Sequence, residues 1–370
     1  LYHLIFVVKI KNNMRVCILG SSLSSLTLAK ALVNLKIHVD ILFSKKTHKQ
    51  NQSRTIGISK SNVEFFNKNI INIEKLIWKL KKIEIYSDNM KKQKLINFEN
   101  NNSYLFSIVK NQKLVEILEK RLFKNKYFKK IKFREKINYS EHYDLVFNTD
   151  YNNLITKKFF TKKIEKKYNS IAYTTILKHE KISNKVAIQI FTKNGPLAFL
   201  PISDDETSVV YSISNYAKEK REIHNLIKKY NFKYNLKKID KIDCFELRGL
   251  SLRSYYYKNV LAFGDLLHRI HPIAGQGFNM TIRDVKILND IIQQKIDLGL
   301  NLDSTLNKEF ENKQKHKNYI FSSGIDIIHE FFNFERKIEN DFLSKSVQIL
   351  NKNPSINKLF TKIADEGILF

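Results

Sequence analysis

The clearest hydrophobic pattern lies near the start of the chain, in residues 15–43, and predicts a strand, a helix and a second strand. An apolar run over 16–19 fits a buried strand, and Gly20 fits a turn. Residues 24–35 have amphipathic helical spacing, and 37–43 form a second apolar run. Such a strand–turn–helix–strand unit opens dinucleotide-binding folds, although a plain parallel sheet can start in the same way.

The turn departs from the fingerprint G-x-G-x-x-G, because it reads GSSLSS. Ser22 and Ser25 stand at the two later glycine positions, where a Cβ would crowd a pyrophosphate or the helix–strand contact. Phe43 stands where an acidic residue would bind a ribose. A nucleotide site and a structural turn therefore both remain open, and we expect any nucleotide to bind more loosely than the ideal fingerprint allows.

The middle of the chain is rich in strand patterns. Three β-type runs in residues 185–213 are separated by turns at 193–196 and 203–206, which predicts an antiparallel meander. Another apolar run at 260–263 predicts a buried strand, and the chain from Thr281 onward has mainly helical spacing. No repeat or low-complexity linker separates these parts, so we expect the domains to interleave.

Residues 263–285, FGDLLHRIHPIAGQGFNMTIRDV, concentrate backbone specialisation, with three of the 10 glycines and one of the 4 prolines. Gly264 and Asp265 follow the end of the predicted strand 260–263. The Asp265 carboxylate can accept hydrogen bonds there from polyol hydroxyls. Gly275 and Gly277 let backbone N–H groups approach a flat ligand, ahead of a helix N-terminus with partial positive charge. A Cβ at Gly277 would press on that ligand or force an unfavourable backbone angle. This arrangement favours a ligand that becomes anionic at one edge, as a reduced flavin does.

Two other interpretations of this stretch stay open. His268 and His271, three residues apart, are candidate metal ligands, but no third ligand on a matching face accompanies them. A purely structural loop is the second alternative. The two cysteines, Cys17 and Cys244, provide neither a disulfide framework nor a zinc quartet, which suits a reducing cytosol.

The formal net charge is +29, from 65 Lys and Arg against 36 Asp and Glu. Such an excess can indicate nucleic acid or a membrane surface as the partner. Compositional drift explains it equally, because Lys, Asn and Ile are enriched together. The basic stretches 119–136 and 157–167 are interleaved with apolar residues, which indicates solvated faces of ordinary elements. No nucleic-acid motif accompanies the charge, so we expect no nucleic-acid partner.

The first 13 residues contain an apolar run that is too short for a membrane span, which needs roughly 20 residues. They also lack a signal-peptide cleavage pattern, and no transmembrane segment is predicted elsewhere. Since the chain begins with Leu1, we interpret residues 1–13 as a mis-assigned extension. We expect protein expressed from Met14 to keep its solubility.

The stretch GDLLHRIHPIAGQGFNMTIRDV closely resembles the signature G-D-x-x-H-x-x-x-P-x-x-G-Q-G-x-N of the flavin-dependent aromatic hydroxylases. The histidine before Pro272 makes it most similar to the ubiquinone-biosynthesis branch of that family. SRTIGISKSNVEFF (53–66), SIVKNQKLVEIL, NGPLAFLPISDDETSVVYS and SINKLFTKIADEG resemble further segments of it. The motif A-D-G-x-x-S-x-x-R is a departure, because only Asp150 of it remains in residues 149–157.

The resemblance implies an α/β (α+β) fold of the aromatic-hydroxylase type. A Rossmann-like FAD-binding domain would be interleaved with a mostly antiparallel substrate sheet, and helices would follow at the C-terminal end. The implied segments are 14–80, 104–155 and 245–300 for the FAD-binding domain, 81–103 and 156–244 for the substrate domain, and 301–370 for the helical region.

The resemblance also implies a function. The chain would be an FAD-dependent monooxygenase that hydroxylates a polyprenylated phenol in ubiquinone biosynthesis through a flavin C4a-hydroperoxide, with no catalytic side chain. NAD(P)H or another electron donor would reduce the flavin. The membrane-resident substrate implies a cytoplasmic protein docked peripherally on the inner membrane, with a place in a quinone-biosynthesis complex. The alternative is a non-catalytic scaffold in that complex, which the eroded motifs favour and the retained Gly275–Gly277 segment opposes.

The implied FAD-binding residues fall into three groups. Gly20, Ser22 and Ser25 would line the diphosphate, and Asp265, which follows the predicted ligand Gly264, would meet the ribityl or diphosphate region. Arg54 would lie on the flavin side, and Gln112 would face the cofactor. Pro272, Gly275, Gln276, Gly277 and Asn279 would face the isoalloxazine.

Overall fold

The computed structural model describes residues 14–43, 53–88, 94–99, 103–134, 139–214, 220–272, 275–338, 345 and 354–367. The extension predicted at 1–13 lies outside the described residues. The strands are β1 (Arg15–Leu19), β2 (His38–Phe43), β3 (Thr55–Ser59), β4 (Trp78–Leu80), β5 (Lys82–Ser87), β6 (Lys94–Glu99), β7 (Phe106–Lys110), β8 (Phe128–Lys132), β9 (Leu145–Asn148), β10 (Lys163–His179), β11 (Val186–Thr192), β12 (Gly195–Pro201), β13 (Glu206–Ser214), β14 (Leu236–Ile239), β15 (Asp243–Leu252), β16 (Tyr256–Tyr257), β17 (Val260–Ala262) and β18 (His268–Arg269). The helices are α1 (Leu23–Asn34), α2 (Lys60–Asn69), α3 (Asn111–Leu122), α4 (Tyr139–His142), α5 (Leu154–Phe159), α6 (Lys220–Tyr230), α7 (Gly277–Asp297), α8 (Thr305–Ile338) and α9 (Pro354–Glu366).

A six-stranded sheet has the order β16-β17-β9-β1-β2-β8. Its strands are parallel except for β16, which forms a hairpin with β17. The predicted strand–turn–helix–strand unit is confirmed, with the helix at 23–34 instead of 24–35. The chain passes from β1 through α1 to β2, whereas β9 lies on the other side of β1. Strand order therefore reverses beside β1, the position where such sheets bind ligands at their carboxyl ends.

A second sheet of nine strands has the order β18-β15-β10-β13-β12-β11-β5-β6, with β14 paired to β10. It is antiparallel except between β11 and β5. The predicted meander is confirmed as β11, β12 and β13. The boundary predicted at residue 245 falls inside β15, because that strand pairs with β10 on both sides of this position. A third, small sheet has the order β3-β7-β4.

Two apolar cores hold these layers. The larger core lies where α1, α3 and α7 cover the six-stranded sheet, and Ile18, Leu28 and Phe263 are fully buried in it. The second lies between the nine-stranded sheet and α6, where Tyr211 packs with Ile223. The helical spacing predicted beyond Thr281 is confirmed in α7, α8 and α9. Within the described segments, no helix combines the length and apolar character that crossing a bilayer requires.

Candidate cofactor-binding site

The carboxyl ends of three neighbouring parallel strands meet at the N-terminus of α1. Gly20 follows β1, Thr149 follows β9 and Gly264 follows β17. Gly20 has φ +106°, and a Cβ built on it would lie 2.5 Å from Thr149 Oγ1. Both the backbone angle and the close approach therefore require glycine at position 20.

Hydrogen bonds between hydroxyl groups link Ser22 and Ser25 to Thr149 at the end of β9. Ser22 caps α1, and its Oγ accepts the Ser25 N–H at 3.4 Å. Ser25 Oγ lies 3.2 Å from Ser22 Oγ and 2.7 Å from Thr149 Oγ1, which donates to the Leu19 carbonyl at 2.8 Å. Ser25 is fully buried, so its side chain belongs to the packing of α1 against β9. The fold accommodates the Ser25 side chain at the helix–strand contact, and looser FAD binding stays a prediction.

Ser25→Gly is therefore expected to destabilise the fold and not to tighten nucleotide binding. The change removes one buried hydrogen bond and adds a flexible residue to the first turn of α1, for a loss of about 1–2 kcal/mol in the free energy of unfolding. Urea unfolding monitored by circular dichroism measures it. Ser21→Gly, outside the helix, is the control and should change stability by less than about 0.5 kcal/mol. Unchanged stability together with tighter FAD binding would restore the crowding interpretation.

The turn after β17 lies directly against α1. Gly264 has φ +62°, and a Cβ there would come within 2.7 Å of Ser24 Cβ. The next residue, Asp265, has an exposed side chain. The predicted cofactor ligands Gly20, Gly264 and Asp265 thus lie around one helix N-terminus, where partial positive charge favours a phosphate group.

A second group of predicted residues lies where α7 begins. Gly275 has φ +62° and would place a Cβ 3.7 Å from the N and Cα atoms of Gly57 in β3. Gly277 is the exposed first residue of α7, and a Cβ there would meet no heavy atom within 4 Å. Among the described residues, no atom within 4 Å blocks this position, so a flat group has room to approach the N-terminus of the 21-residue helix. The residues present fit a flavin in this respect.

Asn279 connects that turn to β3 and α2. Its Oδ1 accepts the Ser59 N–H and an Asn62 Nδ2 hydrogen, each at 2.9 Å. Its Nδ2 donates to the carbonyls of Gly57 at 3.1 Å and Gly275 at 3.2 Å. Asn279 is fully buried, so the structure assigns it a role in positioning the turn. Contact between Asn279 and a cofactor stays a prediction.

Four other predicted residues border this turn or the small sheet. Gln276 is buried, and its Oε1 accepts from Arg283 at 3.3 Å, while Pro272 is half-buried. Arg54 and Gln112 are exposed and lie near each other, because β3 and β7 pair with Thr55 opposite Lys110 and the Asn111 N–H donates to the Arg54 carbonyl. Gln112 Nε2 donates to Glu116 at 2.8 Å. Cofactor contact at these four positions also stays a prediction.

The C-terminal helix supplies a contact that no local sequence pattern indicated. Asp365 Oδ1 accepts the Ser61 N–H at 2.9 Å, at the start of α2, and the Asp365 carbonyl accepts from Ser59 Oγ at 2.8 Å. Arg283 on α7 donates to the carbonyls of Ala364 at 3.1 Å and Asp365 at 3.3 Å. Burial lowers the pKa of Arg283 to about 10, against the opposing effect of Asp365. The end of α9 thereby fastens α2 to α7 beside the Gly275 turn.

The two histidines of the motif have protein neighbours. His268 Nε2 lies 2.5 Å from Asp284 Oδ2, and Asp284 Oδ1 accepts from Gln314 and Asn318. The His271 ring lies 4.3 Å from that of His329 and edge-on to Tyr168. Among the residues that the structure describes, no group of three or more His, Cys, Asp or Glu side chains is placed to hold a metal ion. The metal interpretation of His268 and His271 therefore has no support from the geometry.

Comparison with known proteins bears on this geometry. Residues 146–296 match the family described as FAD binding domain, and they include most of β9, all of β17 and all but the last residue of α7. The p-nitrophenol 4-monooxygenase of Pseudomonas putida superposes with a TM-score of 0.76 at 10% identity, covering 96% of this chain and 99% of that one. Klebsiella pneumoniae HpxO, solved with FAD and uric acid, gives 0.75 at 12% identity, covering 95% and 97%. The probable FAD-dependent monooxygenase pqsL of Pseudomonas aeruginosa gives 0.70 at 15%, covering 91% and 99%.

Residues 146–296 of this chain are thus similar to the FAD binding domain family, and the chain shares the fold of these solved monooxygenases. The fold class implied by the resemblance is thereby confirmed, including its two sheets and its helical C-terminal part.

Curated sequences also match this chain over part of its length. The 3-demethoxyubiquinol 3-hydroxylase of Escherichia coli is 30% identical over 157 residues, 39% of this chain and 39% of that protein. The mitochondrial ubiquinone biosynthesis monooxygenase COQ6 of Dictyostelium discoideum is 29% identical over 133 residues, 35% of this chain and 27% of that protein. The chain therefore spans well under two thirds of the length of these relatives.

Proposed function

We propose that this chain is an FAD-dependent monooxygenase that hydroxylates the ring of a polyprenylated phenol in ubiquinone biosynthesis. The observation that carries the proposal is the open space at Gly277, in front of the N-terminus of α7 and beside the positive-φ Gly275. A scaffold has no physical need for the Gly275–Gly277 segment. The substrate class is proposed from the names of the two curated relatives, which both refer to ubiquinol or ubiquinone chemistry.

Three features of the chain would hold FAD. The N-terminus of α1, with Gly20 beside it, provides positive charge for the diphosphate. Asp265 is exposed next to that terminus and can accept hydrogen bonds from ribityl hydroxyls. The N-terminus of α7 would stabilise the negative charge that the isoalloxazine gains on reduction. The bound flavin, reduced by NAD(P)H or another donor, supplies the oxygen activation.

The protein's own part is to hold this flavin edge fixed relative to the substrate sheet. Thr55 Oγ1 donates to Ser208 Oγ at 2.8 Å, and Lys110 pairs with Glu206 at 2.6 Å, so β3 and β7 are fastened to β13. Because Gly57 lies in β3 against Gly275, these contacts also fix the Gly275 turn. Fixing the ring beside the flavin keeps the reacting atoms aligned and excludes water. We also propose peripheral membrane docking, since the substrate resides in the bilayer, and a place in a quinone-biosynthesis complex.

Two measurements test this function together. The purified protein should be yellow, with about one FAD per chain, as expected of a cofactor-carried reaction. Cells lacking the gene should accumulate a polyprenylated phenol that lacks one ring hydroxyl, identified by mass spectrometry. A colourless protein that still restores quinone synthesis would favour the scaffold, and an unchanged quinone profile in the deletion strain would exclude the substrate class.

A further inference from the structure

The connection between α3 and β8 exposes an aromatic side chain among cations. Phe123 follows the last residue of α3 and is 60% exposed. We call residues 120–134 the basic rim; they contain eight Lys or Arg and no Asp or Glu. β8 within the rim is the edge strand of the six-stranded sheet. Seven of the rim's cations are exposed, namely Lys120, Arg121, Lys124, Lys126, Lys129, Lys132 and Arg134.

The rim's apolar side chains are held in place by their neighbours. The Phe123 ring meets Phe128 edge-on at 5.8 Å, and Lys130 Nζ lies 5.7 Å from its centroid. Lys130 is itself fixed by Glu119 at 2.8 Å. Ile131, on the same edge strand, is 38% exposed. The rim therefore presents a supported ring and an aliphatic side chain within a strongly positive surface.

We propose that the basic rim docks on an anionic lipid surface, with Phe123 inserted at the level of the headgroups. Exposed Lys and Arg are attracted to anionic lipids, and aromatic side chains partition to the membrane interface. Nucleic acid is the competing occupant for a positive surface. Phe123 and Ile131 are both exposed, and an aliphatic side chain such as Ile131 gains from contact with lipid but offers no ring on which a base can stack.

This inference deepens the proposed function and rests on it for its purpose, since a polyprenyl phenol must be reached at the membrane. Vesicle binding requires neither flavin nor turnover. The docking surface and the hydroxylase can therefore fail separately.

Flotation of the full chain with phosphatidylcholine vesicles, with and without about 30% phosphatidylglycerol, measures docking. The chain should bind the anionic vesicles and lose this binding at high salt, because surface charges are screened. Lys124→Glu with Lys126→Glu should reduce the apparent affinity by about tenfold or more. Phe123→Ser should reduce the apparent affinity by about three- to tenfold when it is compared with the unmodified chain at the same low salt concentration.

Matched variants on and just after α6, the helix packed on the nine-stranded sheet, separate local docking from net charge. Lys228→Glu with Lys229→Glu on α6 makes the same change in charge, and Phe232→Ser alters an aromatic residue that is 47% exposed. Both should bind vesicles within about twofold of the unmodified chain, as expected for surface changes remote from the contact. Flavin content, measured in every preparation, should be equal in all of them.

Three outcomes would overturn the proposal. Equal losses in the rim and control variants would make binding a general effect of net charge. Full binding by Phe123→Ser would exclude insertion of the ring. Displacement from vesicles by duplex DNA, with tighter DNA binding that the rim variants abolish, would assign the rim to nucleic acid.

Discussion

Gly277→Val is expected to weaken the affinity for FAD by more than about tenfold, while the chain keeps its fold. Gly277 is the first residue of α7 and is not among the glycines with positive φ. The backbone strain predicted for a substitution there is therefore wrong, because valine costs only about 0.5 kcal/mol relative to alanine at a helical position. A Cβ at Gly277 would also meet no heavy atom of the described residues within 4 Å. Loss of flavin from a stable variant would then mean that the valine side chain clashes with the flavin.

The structure offers a close control for that variant. Gly324 lies inside α8, and a Cβ there also meets no heavy atom within 4 Å. Flavin absorbance after gel filtration, with circular dichroism on the same samples, should separate Gly277→Val from Gly324→Val. A Gly277→Val protein with its normal flavin content would remove the start of α7 from the binding site. Equal flavin loss in both variants would point to general destabilisation.

Asn279→Ala is expected to cost about 3–5 kcal/mol in the free energy of unfolding, a large part of the roughly 5–15 kcal/mol that stabilises a typical domain. The change leaves two donors, at Ser59 and Asn62, and the carbonyls of Gly57 and Gly275 without this buried partner. Each such group costs about 1–3 kcal/mol, and partial relaxation lowers the sum. Urea denaturation of the flavin-free protein measures the loss.

Two further variants make that experiment specific. Asn289→Ala, on the same helix and half-buried, should change stability by less than about 0.5 kcal/mol. Asn279→Asp keeps an acceptor for Ser59 and Asn62 but places a carboxylate against two carbonyl oxygens, so it should also be destabilising. Unchanged stability in Asn279→Ala with a loss of flavin would instead mean that Asn279 contacts the cofactor directly.

The elements with a local period could be predicted from the sequence. The unit β1–α1–β2 and the meander β11–β13 were located because burial repeats with the period of each element. Gly20 and Gly275 were also found, and their positive φ angles account for glycine there. The resemblance extended this to the whole fold, which periodicity alone leaves undecided.

The contacts that assemble the site could not be predicted, because each joins segments far apart in the chain. Ser25 was interpreted as crowding until its partner Thr149, 124 residues away, was known. Gly57 carried no signal, although a Cβ there would lie 2.1 Å from the Phe106 ring. Asp365 reaches Ser61 across 304 residues. A one-dimensional pattern identifies which face of an element is buried but not which distant residue covers it.

β17 is synthesised long after β9, its neighbour in the six-stranded sheet, and this delay affects folding during translation. β17 pairs with β9 through Val260 and Val146, so one side of β9 waits for residues translated more than about 100 positions later. At roughly 5–20 residues per second, that interval lasts about 5–20 s. During it, an apolar strand edge is open to aggregation on the ribosome. Yield in the cell should therefore depend on elongation rate and on nascent-chain chaperones, whether or not flavin is plentiful.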